Sequence, residues 1–144
     1  MIRTINYDKF PAVLKEKIQS ERPWFPENTL IDYPDIVAYR AIERDDDDFS
    51  DVTRDDFRSF AELGIHRRLI DEEDKHYYGT SLFENINCLR NALKFPKPKK
   101  KIAKGKVYSE GGPIDRNGST THVCWWMYED TSVSGFTILM EEEI

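Results

Sequence analysis

Near Pro96 the apolar residues change their spacing, and that switch confines the chain to few architectures. Before it, Leu82, Ile86, Leu89 and Leu93 follow one another at offsets of four, three and four, the period of a single helix face. After it, 102–109, 121–128 and 136–140 are short runs rich in β-branched and aromatic residues. They are separated by Glu110-Gly111-Gly112-Pro113, by Asn117-Gly118 and by the polar stretch 130–135, so three strands joined by turns are expected. Upstream, 11–19 opens on Pro11 and carries Leu14 and Ile18 four apart, which predicts a short helix ended by Pro23. Residues 36–42 are apolar and partly β-branched, which predicts a buried strand with Arg40 in its second half. Thr53-Arg54-Asp55-Asp56 has the pattern of a capping box, and Phe57, Phe60 and Ala61 before Gly64 predict a second short helix closed by a left-handed residue. Ser81 and Glu84 form the same box at the head of a third helix. The expected class is α+β, with short helices in the first half and a mainly antiparallel sheet from the C-terminal half.

A chain of 144 residues, 39% hydrophobic and 12% aromatic, suits one domain spanning 1–144 and is short for two. Trp125 and Trp126 must point to opposite faces of their strand, which places one in the core and leaves the other half-exposed. Cys88 and Cys124 read as two reduced, buried thiols. No apolar run approaches the length of a membrane span, and the first residues lack the apolar stretch of a secretory signal, so the expected compartment is the cytoplasm.

The net charge of −6 opposes general attraction to nucleic acid or anionic membrane, yet the charge is strongly divided. Between Glu43 and Asp56 eight carboxylates face two arginines, while Lys94 to Lys106 holds seven lysines and no acid. The acidic block reads as a solvated loop, or as a docking surface for a protein partner with a basic surface, in the style of immunity, antitoxin or inhibitor proteins. The lysine block reads as a solvated connector, as a counterweight to the acidic loop, as an attractor for a pyrophosphate, or as a track for a phosphodiester backbone beside Phe95 and Tyr108, a reading the acidic remainder of the chain opposes. No metal is expected: His66, His76, His122, Cys88 and Cys124 lack zinc-ligand spacing, and Asp45 to Asp48 do not reproduce a calcium loop. Phosphate-binding glycine loops, a dinucleotide fingerprint and a nucleophile elbow are likewise absent from the sequence.

Three separated elements remain: Tyr39-Arg40 in a strand, Tyr78-Gly79-Thr80-Ser81 ahead of a helix, and Glu141-Glu142-Glu143 at the end of a strand. In that order they resemble the arginine, Ser-Thr-Ser and Glu-x-Glu motifs of mono-ADP-ribosyltransferases. The resemblance spans about 100 residues by element order and a handful by identity. It implies NAD as cofactor, with Arg40 on the dinucleotide phosphates, a task for which a planar guanidinium suits better than an ammonium. It further implies Ser81 bracing the nicotinamide pocket, Glu143 stabilising the oxocarbenium-like transition state, and Glu141 orienting the acceptor. A fixed carboxylate serves such a step because positive charge develops on the ribose. Tyr39, Tyr78 or Trp126 would supply aromatic lining. Two departures stand out: the second motif reads Gly-Thr-Ser, and Glu142 adds a like charge between the acid pair.

Each residue also has a plainer reading. Arg40 would pair with one of Asp45 to Asp48, Ser81 and Glu84 would only cap a helix, and the glutamates would form a solubilising tail. His122 is either a general base beside the pocket or an ordinary polar strand residue.

Overall fold

The computed structural model describes residues 4–21, 24–65, 71 and 74–144. Among these, six strands form one antiparallel sheet in the order β4-β5-β2-β1-β3-β6. The strands are β1 (Ile36–Glu43), β2 (Thr80–Phe83), β3 (Lys100–Val107), β4 (Ile114–Arg116), β5 (His122–Trp125) and β6 (Thr137–Ile138). Three α-helices accompany them, α1 (Ala12–Ser20), α2 (Phe60–Leu63) and α3 (Ile86–Leu93). The α+β class and the antiparallel sheet agree with the sequence reading, as do α1 with Leu14 and Ile18 buried and β1 with Arg40 inside it. Pro23 lies outside the described residues.

The region around Ser81 differs from expectation. Thr80 and Leu82 are buried and Ser81 between them is exposed, the alternation of a strand paired with β5 through Thr80↔Trp125 and Leu82↔Val123. The helix starts later, at Asn85, whose side chain accepts from the backbone N–H groups of Asn87 and Cys88. Glu84 instead binds Arg116 at 2.5 Å and 3.0 Å across the sheet edge. Leu82 stands four residues before Ile86 and so mimics one more helical turn, although its burial belongs to the sheet.

The second predicted helix is also broken. Arg54–Phe57 form a 3-10 turn in which the Asp56 carboxylate accepts from the Thr53 N–H, and α2 begins afresh at the Ser59 cap and closes at Gly64 (φ 65°). The 3-10 turn holds Phe57 in full burial against Trp125 and Phe136. The strands expected at 121–128 and 136–140 shorten to four and two residues, and β4 appears in a stretch that reads as turn.

Each face of the sheet carries apolar packing. On one face Ile36, Ala38, Ile42, Phe57, Leu82, Val123, Trp125 and Phe136 form a core. On the other, α1 and the N-terminal segment bring Phe10, Leu14, Ile18 and Trp24 onto Cys124, Trp126 and Tyr128. Trp125 and Trp126 therefore both lie buried, and the half-exposed tryptophan expected from the sequence does not occur, because Trp24 and Phe25 pack over Trp126 on the second face. Cys124 is a buried free thiol, its pKa driven well up by burial, while Cys88 is free and only half-buried.

The two charge blocks meet. The Lys101 ammonium donates to the Asp45 and Asp46 carbonyls at 2.7 Å and 2.9 Å and lies 4.5 Å from the Phe49 ring centre. The aspartate run is thus fastened through its backbone, leaving Asp45, Asp46 and Asp47 exposed.

Candidate functional site

The pairing between β1 and β2 has a single register position, Tyr39↔Phe83, whereas β1 and β3 pair continuously from Ile36↔Val107 to Glu43↔Lys100. Arg40 takes over where the β1–β2 ladder stops. Its Nη1 donates to the Ser81 carbonyl and its Nε to the Asp56 carbonyl, each at 2.8 Å, and its guanidinium lies 5.5 Å from the Phe57 ring centre. Thr80 Oγ1 donates to the Phe57 carbonyl and ties the same 3-10 turn to β2. Burial lowers the Arg40 pKa to about 10, aided by nearby Arg54 and opposed by Asp56 and Glu62, so the group remains cationic at neutral pH. Arg40 therefore pairs with a carbonyl of the 53–57 turn, not with Asp45 to Asp48 as one sequence reading held.

Beside this bracket opens a cleft of about 320 Å³, lined by Arg40, Arg58, His76, Gly79, Ser81 and His122 among others. Asp71 and Asp74 supply its acidic wall, and Phe60 and Tyr77 its aromatic surface. Gly79 is packed closely against the second core: a Cβ would stand 2.2 Å from the Cys124 sulfur. Arg58 is already committed, donating to Glu62 and Glu129 at 2.8 Å each and to Asp55 at 3.2 Å. Its hydrogen bond to Glu129 leads the contacts that raise its pKa.

His76 and His122 face one another with ring centres 5.8 Å apart. His76 Nε2 is 2.9 Å from Asp115 Oδ2, and Asn28 donates to Asp115 Oδ1 at 3.0 Å, so the carboxylate is held from both sides. Burial lowers the His122 pKa, His76 adds to that, and Asp115 opposes it. A neutral imidazole in a cleft wall can accept a proton, the role the sequence offered for His122. Its ring resonances should therefore titrate below the free-histidine value of about 6.5 in a proton NMR pH series. Replacing the neighbour, His76→Gln, should move the His122 midpoint upward, and an unchanged midpoint would contradict the coupling between the rings.

The structure brings together only part of the predicted set. Arg40 and Ser81 line one cleft, but they meet through the Ser81 carbonyl, while Ser81 pairs with Cys124 on the face opposite the Phe57 core. Tyr39 points away from Arg40 by strand alternation, and its ring centre lies 5.8 Å from the Lys104 ammonium. Tyr78 packs edge-on against Trp24 in the second core, and its neighbour Tyr77 takes the place beside the cleft. Glu141, Glu142 and Glu143 form an exposed 3-10 turn after β6, the edge strand beyond β3. Glu143 accepts from the Met140 N–H at 2.9 Å, and Glu141 and Glu142 line a different cavity. His76, Asp115 and Arg58 escaped the sequence reading because they stand 39 and more residues from a partner, in the case of His76 and Asp115, or because their spacing resembles surface charge.

No group of three or more His, Cys, Asp or Glu side chains suited to a metal ion occurs among the described residues. No helix there is long and apolar enough to cross a membrane. Comparison with protein-family models, curated proteins and solved structures finds no match to this chain.

Proposed function

We propose that the cleft between β1 and β2 binds NAD or a related nucleotide, in an ADP-ribosyltransferase-like domain that has lost the transfer step. The observation that supports binding is the opening of Arg40 and the Gly79–Ser81 segment into one cleft with ring surfaces from Phe60, Tyr77 and two histidines. The observation that supports loss of transfer is the position of Glu141 and Glu143, which line or flank another cavity and leave the cleft without the acid pair that the resemblance requires. Isothermal titration with NAD tests the reading. Ser81→Trp should fill the cleft from an exposed position and weaken NAD at least tenfold, whereas Glu143→Gln should bind as the parent does and no nicotinamide should be released. Absence of NAD binding, or its loss in Glu143→Gln alone, would overturn it.

A second reading, an acidic interaction protein for a basic partner, is supported by the exposure of Asp45, Asp46 and Asp47 on a loop whose backbone Lys101 holds in place. Charge reversal at Asp46 and Asp47 should then abolish salt-sensitive binding to a basic protein while leaving NAD titration unchanged; equal binding by the reversed variant would reject it.

A further inference from the structure

A second cavity of about 600 Å³ lies at the other end of the sheet, between the end of α3, the 95–101 connector and the segment after β6. Phe95, Ile102, Leu139 and Met140 give it apolar walls. Ile102 is fully buried, whereas Met140 stays 43% exposed. The charges are unevenly satisfied. Lys100 pairs with Glu43 at 3.6 Å, and Lys101 is spent on the Asp45 and Asp46 carbonyls. Arg90 also lines the cavity, yet its Nε is buried without a hydrogen-bond partner, and it forms no ion pair among the described residues.

We propose that this cavity takes an organic monoanion with an apolar body, its carboxylate or sulfonate on Arg90 and its body against Phe95, Ile102 and Met140. The exposed carboxylates of Glu141, Glu142 and Asp46 around the same cavity select against a polyanion, so nucleic acid and polyphosphates are disfavoured there. Arg90 and Lys97, neither in an ion pair among the described residues, stand beside these apolar walls and match an anionic head, and the volume falls within the range of small-molecule sites. This site is separate from the β1–β2 cleft and does not depend on nucleotide binding.

The test uses the whole chain with 1-anilinonaphthalene-8-sulfonate as fluorescent probe and decanoate as competitor. The parent should bind the probe at one site and release it to decanoate, while decyltrimethylammonium should displace it at least tenfold less well. Arg90→Met should weaken the probe at least tenfold. Should Arg90→Met fail to fold, Met140→Glu decides, since it places a negative charge at an exposed wall position and should expel the probe equally. No saturable binding by the parent would overturn the proposal. So would parental affinity in the folded variant, or equal displacement by the cationic amphiphile.

Discussion

Arg40→Met should lower the unfolding free energy by about 2 kcal/mol, because the partly buried Asp56 carbonyl and the exposed Ser81 carbonyl lose a charged donor at once. Methionine keeps the apolar stem over Phe57, so the loss isolates the hydrogen bonds more closely than alanine would. Arg40→Lys should recover only part of the stability, since one ammonium lacks the planar fork that spans both carbonyls. Urea unfolding followed by tryptophan fluorescence measures this. A shift of the midpoint without change of slope is expected, and a loss below about 0.5 kcal/mol, the ordinary range for a surface substitution, would show that the guanidinium is not a structural bracket.

The second large effect is expected at Gly112. Its φ of 128° is a backbone conformation that side chains resist, and an added Cβ would stand 2.1 Å from the Trp126 carbonyl oxygen. That carbonyl is part of the backbone following β5, where Trp126 N–H donates to Pro113 and Tyr128 N–H to Gly111, so it cannot retreat without breaking the attachment. The Tyr33 hydroxyl also donates to the Gly112 carbonyl at 2.6 Å. Gly112→Ala should therefore cost at least about 3 kcal/mol, strain and lost hydrogen bonds combined, and should reduce the near-ultraviolet signal of the buried tryptophans. Gly64→Ala serves as the contrast: its φ is 65° but no atom lies within 4 Å of the added carbon, so a penalty of about 1 kcal/mol is expected from conformation alone. Equal penalties at the two positions would contradict the packing ascribed to Gly112.

The residues that the sequence placed well are those whose environment is set locally. Leu14 and Ile18 turn inward because a four-residue offset on a helix leaves little choice, and Ile36 to Ile42 form a strand as their apolar, partly β-branched composition implies, with Ile36, Ala38 and Ile42 buried. Ser81 misled because two periods overlap at Leu82, and only the pairing with Val123, forty-one positions away, decides in favour of the strand. Trp126 misled for a related reason: alternation gives its face, but the cover supplied by Phe25 and Trp24 comes from a distant segment. The site was less legible than the fold. Arg40 finds its partners among backbone carbonyls, which no side-chain pattern announces. His76 and Asp115 become neighbours only when β4 pairs with β5, and β4 itself lies in a stretch that reads as turn.

Amide chemical shifts of the 15N-labelled chain, followed as NAD is added, test the proposed nucleotide binding most directly. The largest changes should fall at His76, Gly79, Ser81 and His122, with Met140 to Glu143 left in place. Changes confined to Met140 to Glu143, or none at saturating NAD, would contradict a nucleotide site between β1 and β2.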